Sequence, residues 1–229
     1  MNPVVEVSGL SFAFDDVPVL HEVDFSVHAG ERVGIAGANG AGKSTVLWCL
    51  LGLLKGKGQI RVLGRRPTGE GNTAIGAVFQ NPEDQLFMPR LIDDLTLPLV
   101  NQGIPLAEAT SRAEATLGSL GLGFAAGRPA ARLSLGERKR AALAAALVTS
   151  PHLIVLDEPT AELDGGSVRR LVELLNRLPL TLIVASHDLE FLQAVTSRVL
   201  ILVDGRIVAD GPGTTLLADR ALLERAGLI

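Results

Sequence analysis

The stretch Gly37-Ala38-Asn39-Gly40-Ala41-Gly42-Lys43-Ser44-Thr45 limits what this chain can fold into more than any other. It fits G-x-x-x-x-G-K-[ST], follows an apolar run ending at Ile35-Ala36, and precedes the helix-like segment Thr45 to Leu54. Such a loop needs a strand to deliver it, glycines that let successive N–H groups point inward around an anion, and a helix N-terminus that adds partial positive charge. The fold class is therefore α/β with a P-loop core. The expected ligand is a nucleoside triphosphate, wrapped by Asn39, Gly40, Ala41, Gly42, Lys43, Ser44 and Thr45. Lys43 would reach its β- and γ-phosphates and the Ser44 hydroxyl would take a position on Mg²⁺. The plainer alternative, a glycine turn capping an ordinary helix, does not require the strand-turn-helix context that is present.

Around this loop the chain alternates short apolar runs with helical patterns. Val4 to Val7 and Val23 to Val27 alternate like half-buried strands, and Arg32 to Ala36, Gln59 to Gly64 and Ile75 to Phe79 are further strand candidates. Gly56-Lys57-Gly58 is expected to break the helix after the loop, and residues 65–72 to form a loop of their own. Aromatics are scarce, seven Phe and one Trp with no Tyr, so Phe14 ahead of the acidic pair Asp15-Asp16 stands out. It fits a ring stacked on a flat base and equally a core residue at a strand end. The strand through Phe79 ends on Gln80-Asn81-Pro82, and a polar amide in that position is where α/β folds present ligand contacts; an ordinary strand-end turn is the alternative. From Glu83 to Leu122 the β-alternation disappears. Leu95, Leu97 and Leu99 are ambiguous, whereas Leu106 to Leu120 reads as helix, which suggests a helical insertion.

Ser134 and Glu137 form S-x-x-E, a capping box ahead of an alanine-rich helix to about Thr149, and the same helix start is a second anion-binding dipole. Leu153 to Leu156 reads as a buried parallel strand that delivers Asp157-Glu158 at its C-terminal end. Two adjacent carboxylates there are costly unless something charged or polar meets them. Beside a P-loop, Asp157 would support Mg²⁺ and Glu158 would polarise the attacking water; a solvated acidic turn is the alternative. Ser167 to Leu178 is an amphipathic packing helix, and Thr181 to Ala185 is a buried strand ending at Ser186-His187-Asp188. A histidine at that strand end can reach a γ-phosphate, although a lone histidine also commonly serves structure. Val199 to Val203 and Arg206 to Ala209 form an expected hairpin over Asp204-Gly205, with a short helix after it.

Taken in order, these elements resemble the nucleotide-binding subunit of an ABC transporter over nearly the whole chain. The resemblance rests on Gly37 to Thr45 (Walker A), Gln80 (Q-loop), Leu133 to Glu137 (signature motif), Leu153 to Glu158 (Walker B), Ala161 to Asp164 (D-loop) and His187 (H-loop). It implies one ABC ATPase domain over 1–229 with an N-terminal antiparallel β region, a parallel-sheet core at about 1–80 and 150–229, and a helical subdomain at about 81–149. It makes Phe14 the aromatic that stacks on adenine and Glu158, His187, Lys43 and Gln80 the catalytic set. Ser44, Gln80 and Asp157 become the Mg²⁺ set, and Asp164 joins the nucleotide contacts. It also implies ATP as substrate and a head-to-tail pair of such domains, identical or paralogous. In that pair Ser134, Gly136 and their helix N-terminus donate to the γ-phosphate held by the other copy's P-loop. The sequence departs from the family's Leu-Ser-Gly-Gly-Gln at Leu135 and Glu137.

Within the family, Phe79 to Phe87 looks like the energy-coupling-factor (ECF) type, with Asp84-Gln85 matching its acidic Q-helix, and Ala185 to Phe191 is similar to the cobalt/nickel branch. Such importers pair the ATPase with a transmembrane coupling protein and a substrate-capturing membrane protein. No apolar run approaches the roughly 20 residues needed to span a bilayer, and Met1 to Glu6 carries no leader pattern. Docking at the cytoplasmic face of the membrane is therefore the expectation. With 47% hydrophobic residues and net charge −4 the chain lacks the basic character that favours nucleic acid. Cys49, the only cysteine, excludes an internal disulfide, and with four histidines leaves no transported-metal cluster to expect. The rival readings are an importer ATPase for biotin or another vitamin, a non-transport ABC ATPase, and a nucleotide-binding module that does not hydrolyse.

Overall fold

The computed structural model describes residues 3–69 and 71–229; Met1 and Asn2 of the stretch read for a leader, and Glu70 of the expected 65–72 loop, lie outside them. Strands β1 (Val5–Phe14) and β2 (Val17–Val27) pair antiparallel across Asp15 and Asp16, whose φ values of 42° and 68° are those of a two-residue hairpin turn. Both strands run well beyond the expected segments. Then follow β3 (Arg32–Ala36), α1 (Lys43–Leu50), β4 (Lys57–Val62) and β5 (Ile75–Val78). Helix α1 stops earlier than expected, and Gly52 rather than Gly56 ends it. At φ 75° the Gly52 N–H donates to the Cys49 carbonyl while Leu53 donates to Trp48, the paired bonds that close a helix on a left-handed residue.

After a 3₁₀ turn at Pro82–Asp84 come α2 (Leu91–Asn101), α3 (Leu106–Ser119) and α4 (Leu135–Leu147). Leu91, Leu95 and Leu99 are fully buried at helical spacing, which settles the ambiguous leucine run as α2. The chain continues through β6 (Leu153–Asp157), α5 (Gly165–Asn176) and β7 (Thr181–Ser186). It ends with α6 (Leu189–Val195), β8 (Arg198–Val203), β9 (Arg206–Pro212), α7 (Gly213–Leu216) and α8 (Arg220–Arg225).

The elements form two compact units. One comprises Met1–Asn72 and Pro179–Ile229. It holds an antiparallel sheet in the order β2-β1-β4, and a run β7-β3-β8-β9 in which β3 lies parallel to both β7 and β8 while β9 is antiparallel. Val33, Ile35, Ile183, Val184, Leu200 and Ile201 are its buried centre. Arg198 ties β8 to its surroundings, with bonds of 2.6 Å to each Asp210 oxygen, 2.9 Å to Glu31 and 3.0 Å to the Ser26 carbonyl.

The other unit is Thr73–Leu178. The parallel pair β5 and β6 shares this unit with α2, α3, α4 and α5, so the helices expected as an insertion lie in one unit with two core strands, and α4 packs on β5. Its core is formed by the α2 leucines, by Ala109, Ala113 and Leu117 of α3, and by Leu143 of α4. Among the described residues no helix is long and apolar enough to cross a membrane.

Candidate active site

In the first unit Ala36 and Ser186 are the last register partners of β3 and β7. Gly37 and His187 each follow by one residue, so the glycine loop and the histidine leave neighbouring parallel strands at the same end, where α/β folds place ligands. The loop turns at Ala38, whose carbonyl accepts from the Ala41 N–H at 3.1 Å, and the Gly205 N–H of the β8-β9 turn bonds the Ala41 carbonyl behind it. Gly42 sits at φ 101° as the N-cap of α1, a conformation an L side chain rarely adopts. Asn39 and Gly40 are exposed, Ser44 is half-buried and Thr45 is buried. Lys43 is buried, and its Nζ donates to the carbonyls of Gly37 at 2.8 Å and Ala38 at 3.1 Å, which centres the charge in its own loop.

His187 is exposed and framed by helix α6: Asp188 caps that helix by accepting from the Phe191 N–H, and its own N–H donates to Ser186 Oγ. Phe14 closes β1 with 44% of its surface exposed, its ring edge-on to Phe12 at 4.7 Å. It is not a core residue.

In the second unit Val78 and Leu156 are the last partners of β5 and β6. Gln80 and Glu158 each lie two residues on, so the amide and the acidic pair emerge side by side. Gln80 is exposed, while Asp157 and Glu158 are buried at 4% and 5% exposure. Glu158 has φ 42°, an uncommon value for a residue with a side chain.

At the start of α4 the expected capping box is present. The Glu137 N–H donates to Ser134 Oγ at 3.3 Å, and Glu137 Oε2 accepts from the Ser134 N–H and O–H, each at 2.8 Å. These bonds, the backbone one foremost, hold the Glu137 carboxyl below the usual range. Asp164 is the N-cap of α5: Oδ1 accepts from the Gly166 and Ser167 N–H groups, and Oδ2 from the Ser167 hydroxyl at 2.8 Å. A Cβ on Gly136 would stand 2.6 Å from that Ser167 oxygen, so the signature glycine and the D-loop carboxylate are linked through Ser167.

The family model for ABC transporters matches residues 20–161. The chain belongs to the ABC transporter ATP-binding family. It is 39% identical to a nickel import ATP-binding protein of Rhodobacter capsulatus, over 100% of this chain and 97% of that one. It is 36% identical to a cobalt import ATP-binding protein of the same organism, over 100% and 85%. An energy-coupling factor transporter ATP-binding protein of Methanothermobacter thermautotrophicus is 37% identical, over 98% and 76%. Among solved structures, cbiO1 of Clostridium perfringens, part of the ABC transporter complex cbiONQ, superposes with a TM-score of 0.85 at 29% identity, over 100% of this chain and 96% of that one. The chain thus has the ABC ATPase fold and, as a member of this family, is an ATP-binding ATPase subunit.

Ser44 in the first unit, and Asp157 and Gln80 in the second, each offer a hard oxygen donor of the kind Mg²⁺ takes. The described residues contain no cluster of His, Cys, Asp or Glu able to hold a metal alone. An ion held by such donors together with nucleotide phosphates would neutralise phosphate charge.

The sequence reading missed two buried charges. Lys139 of α4 is 4% exposed, and its Nζ donates to the carbonyls of Gln80 at 2.8 Å and Glu158 at 3.2 Å. Burial lowers its pKa, opposed by the charges of Glu162, Glu158 and Asp157. Its signal was its phase, for Lys139 falls in line with buried Ala142, Leu143 and Ala146. Asp94 is also buried; its Oδ1 accepts from the N–H groups of Phe87 and Met88, and burial foremost raises its pKa.

Proposed function

We propose that this chain is the ATP-hydrolysing motor subunit of an ECF-type importer of cobalt or nickel ions, working at the cytoplasmic face of the membrane. The single observation that supports it best is the register of β5 and β6, which places Gln80 beside Asp157-Glu158 at one strand end. An amide there can report a membrane partner's position to the carboxylate that polarises water. The 36% to 39% identity to cobalt, nickel and ECF relatives, over 98% or more of the chain, supports the cargo class.

In this reading the residues divide by task. Phe14 stacks on adenine, while Asn39 to Thr45 wrap the phosphates and Lys43 moves from its loop carbonyls onto the β- and γ-phosphates. Ser44, Asp157 and Gln80 hold Mg²⁺. Glu158 orients and polarises water, and His187 contacts the γ-phosphate. Ser134 and Gly136, on an identical or paralogous copy, cover that phosphate with a helix N-terminus, and Asp164 holds the loop beside them. Hydrolysis removes the shared contact and lets the pair reopen. A transmembrane coupling protein and a substrate-capturing membrane protein complete the assembly.

Glu158→Gln tests the catalytic assignment. ATP binding should persist, steady-state phosphate release should fall by about 10²-fold or more, and an ATP-dependent dimer should accumulate; unchanged phosphate release would refute the assignment. Cargo is tested by co-purifying the membrane subunits and measuring ATP-driven uptake of cobalt and nickel in vesicles, with biotin uptake as the contrary outcome.

A further inference from the structure

Lys139 lies in the first turns of the helix that begins at the signature cap, yet both of its bonds described above are to backbone oxygens outside that helix. One accepts at Gln80, beyond the end of β5. The other belongs to Glu158, beyond the end of β6. The Glu158 carbonyl also accepts from the Ala161 N–H at 3.1 Å, so this strained residue is held through its own peptide. A backbone in the left-handed region persists only where its surroundings over-determine it. An ammonium is a costly way to fill a helix-strand contact, since an apolar side chain of the same length would pack there without desolvating a charge. What the charge adds is a directed grip on two carbonyls at once.

From this geometry we propose that Lys139 is a positioning residue for hydrolysis: by pinning the Gln80 and Glu158 carbonyls to one helix, it fixes the Glu158 carboxylate relative to the Q-loop and couples both to the signature helix. The proposal deepens the function proposed above and rests on Glu158 being the water-polarising group. Lys139 acts through the two carbonyls and not on nucleotide or water. Its contribution appears in turnover and not in ATP affinity, because the adenine and phosphate contacts assigned above lie on other residues.

The test compares Lys139→Met, which keeps length and loses the donors, with Lys139→Arg, which keeps them. Both are assayed in the preparation in which the wild-type chain hydrolyses ATP, alone or with its membrane partners. A misplacement of about 1 Å can lower turnover by about 10²-fold, so Lys139→Met should lose about that much in kcat. Its KM and Kd for ATP should stay within about twofold and its thermal melt should remain cooperative. Lys139→Arg should recover kcat to within about tenfold of wild type. A Lys139→Met kcat within about threefold of wild type would overturn the proposal, as would an Arg variant no more active than a folded Met variant, which would mark a packing role. If Lys139→Met does not fold, Lys139→Leu, which also lacks donors, replaces it with the same two outcomes. Glu158→Gln runs in parallel: if it still hydrolyses ATP the functional reading falls, whereas if only the Lys139 variants are normal the positioning role alone falls.

Discussion

Replacing Glu137 by Gln should weaken the helix it helps to start and strengthen the ATP-dependent dimer. Glu137 Oε2 accepts the N–H and the O–H of Ser134, each at 2.8 Å. Hydrogen bonds to a charged group contribute about 1.5–3 kcal/mol and neutral ones about 0.5–1.5, so an amide in that place loosens each bond by about 1 kcal/mol before solvent reduces it. Ser134 is exposed, and a net loss of about 1 kcal/mol in folding stability is the expected size, part of it the carboxylate's attraction to the helix N-terminus. The gain arises from the same bond. A hydroxyl has one proton to donate, and Ser134 directs its proton to Glu137, which in the dimer proposed above would keep it from a γ-phosphate. The hydroxyl bond's share of that net loss, about 0.5 kcal/mol, is worth about twofold per ATP site, or about fivefold for a symmetric dimer with two sites. Sedimentation of Glu137→Gln and its parent in a Glu158→Gln background, at fixed ATP, reads this directly. An unchanged or weaker dimer would refute the reasoning.

The carboxylate also sets the pH range of its own contribution. The Ser134 backbone bond, then the hydroxyl bond, holds the folded-state pKa below the ordinary 4.5. For a depressed carboxyl the stabilisation is complete above the unfolded value and lost as pH falls through the folded one. Urea titrations should therefore separate wild type from Glu137→Gln by about 1 kcal/mol at neutral pH, and the gap should narrow as pH falls below the ordinary 4.5. A gap independent of pH would assign the effect to shape rather than charge.

Phe14→Ala should weaken ATP binding by about 1–3 kcal/mol, the range for a base stacked on an aromatic ring; calorimetry showing equal Kd would remove the stacking role. Cys49 is 1% exposed and burial pushes its thiol up to about 11, so a disulfide reagent should react at least about 10²-fold more slowly with the native chain than with the urea-unfolded one. Stoichiometric labelling of the native chain within minutes would contradict this. Arg198→Met removes the bonds to Asp210, Glu31 and the Ser26 carbonyl from a side chain 24% exposed, and should cost about 2–3 kcal/mol by urea titration. A midpoint within error of wild type would show the cluster to be already solvated.

How much of this was legible in the sequence depended on where backbone hydrogen bonds go. Strand β3 was read to the residue because Arg32–Ala36 is a buried run bounded by a turn and a glycine loop. Alternation shows only Val4 to Val7 and Val23 to Val27 of the strands that form the first hairpin, because β1 breaks its alternation, with Gly9 at φ 61° and register shifts between Val7 and Leu10 and again before Phe12. The candidate residues at strand ends stand out for the same reason as β3: a run of apolar residues followed by Gly37, Gln80, Asp157 or His187 announces a strand end.

The backbone conformation of residues 81–90 is not legible in the sequence, and the reason is physical. Apart from a 3₁₀ turn at Pro82–Asp84 this segment has neither helix nor strand to satisfy its backbone groups. Backbone groups near a core still need partners, and here side chains from elsewhere in the unit supply them. Lys139 donates to the Gln80 carbonyl at one end, Asp94 accepts from Phe87 and Met88 at the other, and Gln85 within the segment donates back to the carbonyls of Ala77 and Ala142. Periodicity cannot show such an arrangement, because it registers where side chains point and not which carbonyls lack a ladder. A charge in phase with a buried stripe is the trace it leaves, and Lys139 within an alanine face is that trace in this chain. Reading Arg138-Lys139-Arg140 as a uniform basic run conceals it, since the three residues point in different directions around the helix and only the middle one is buried.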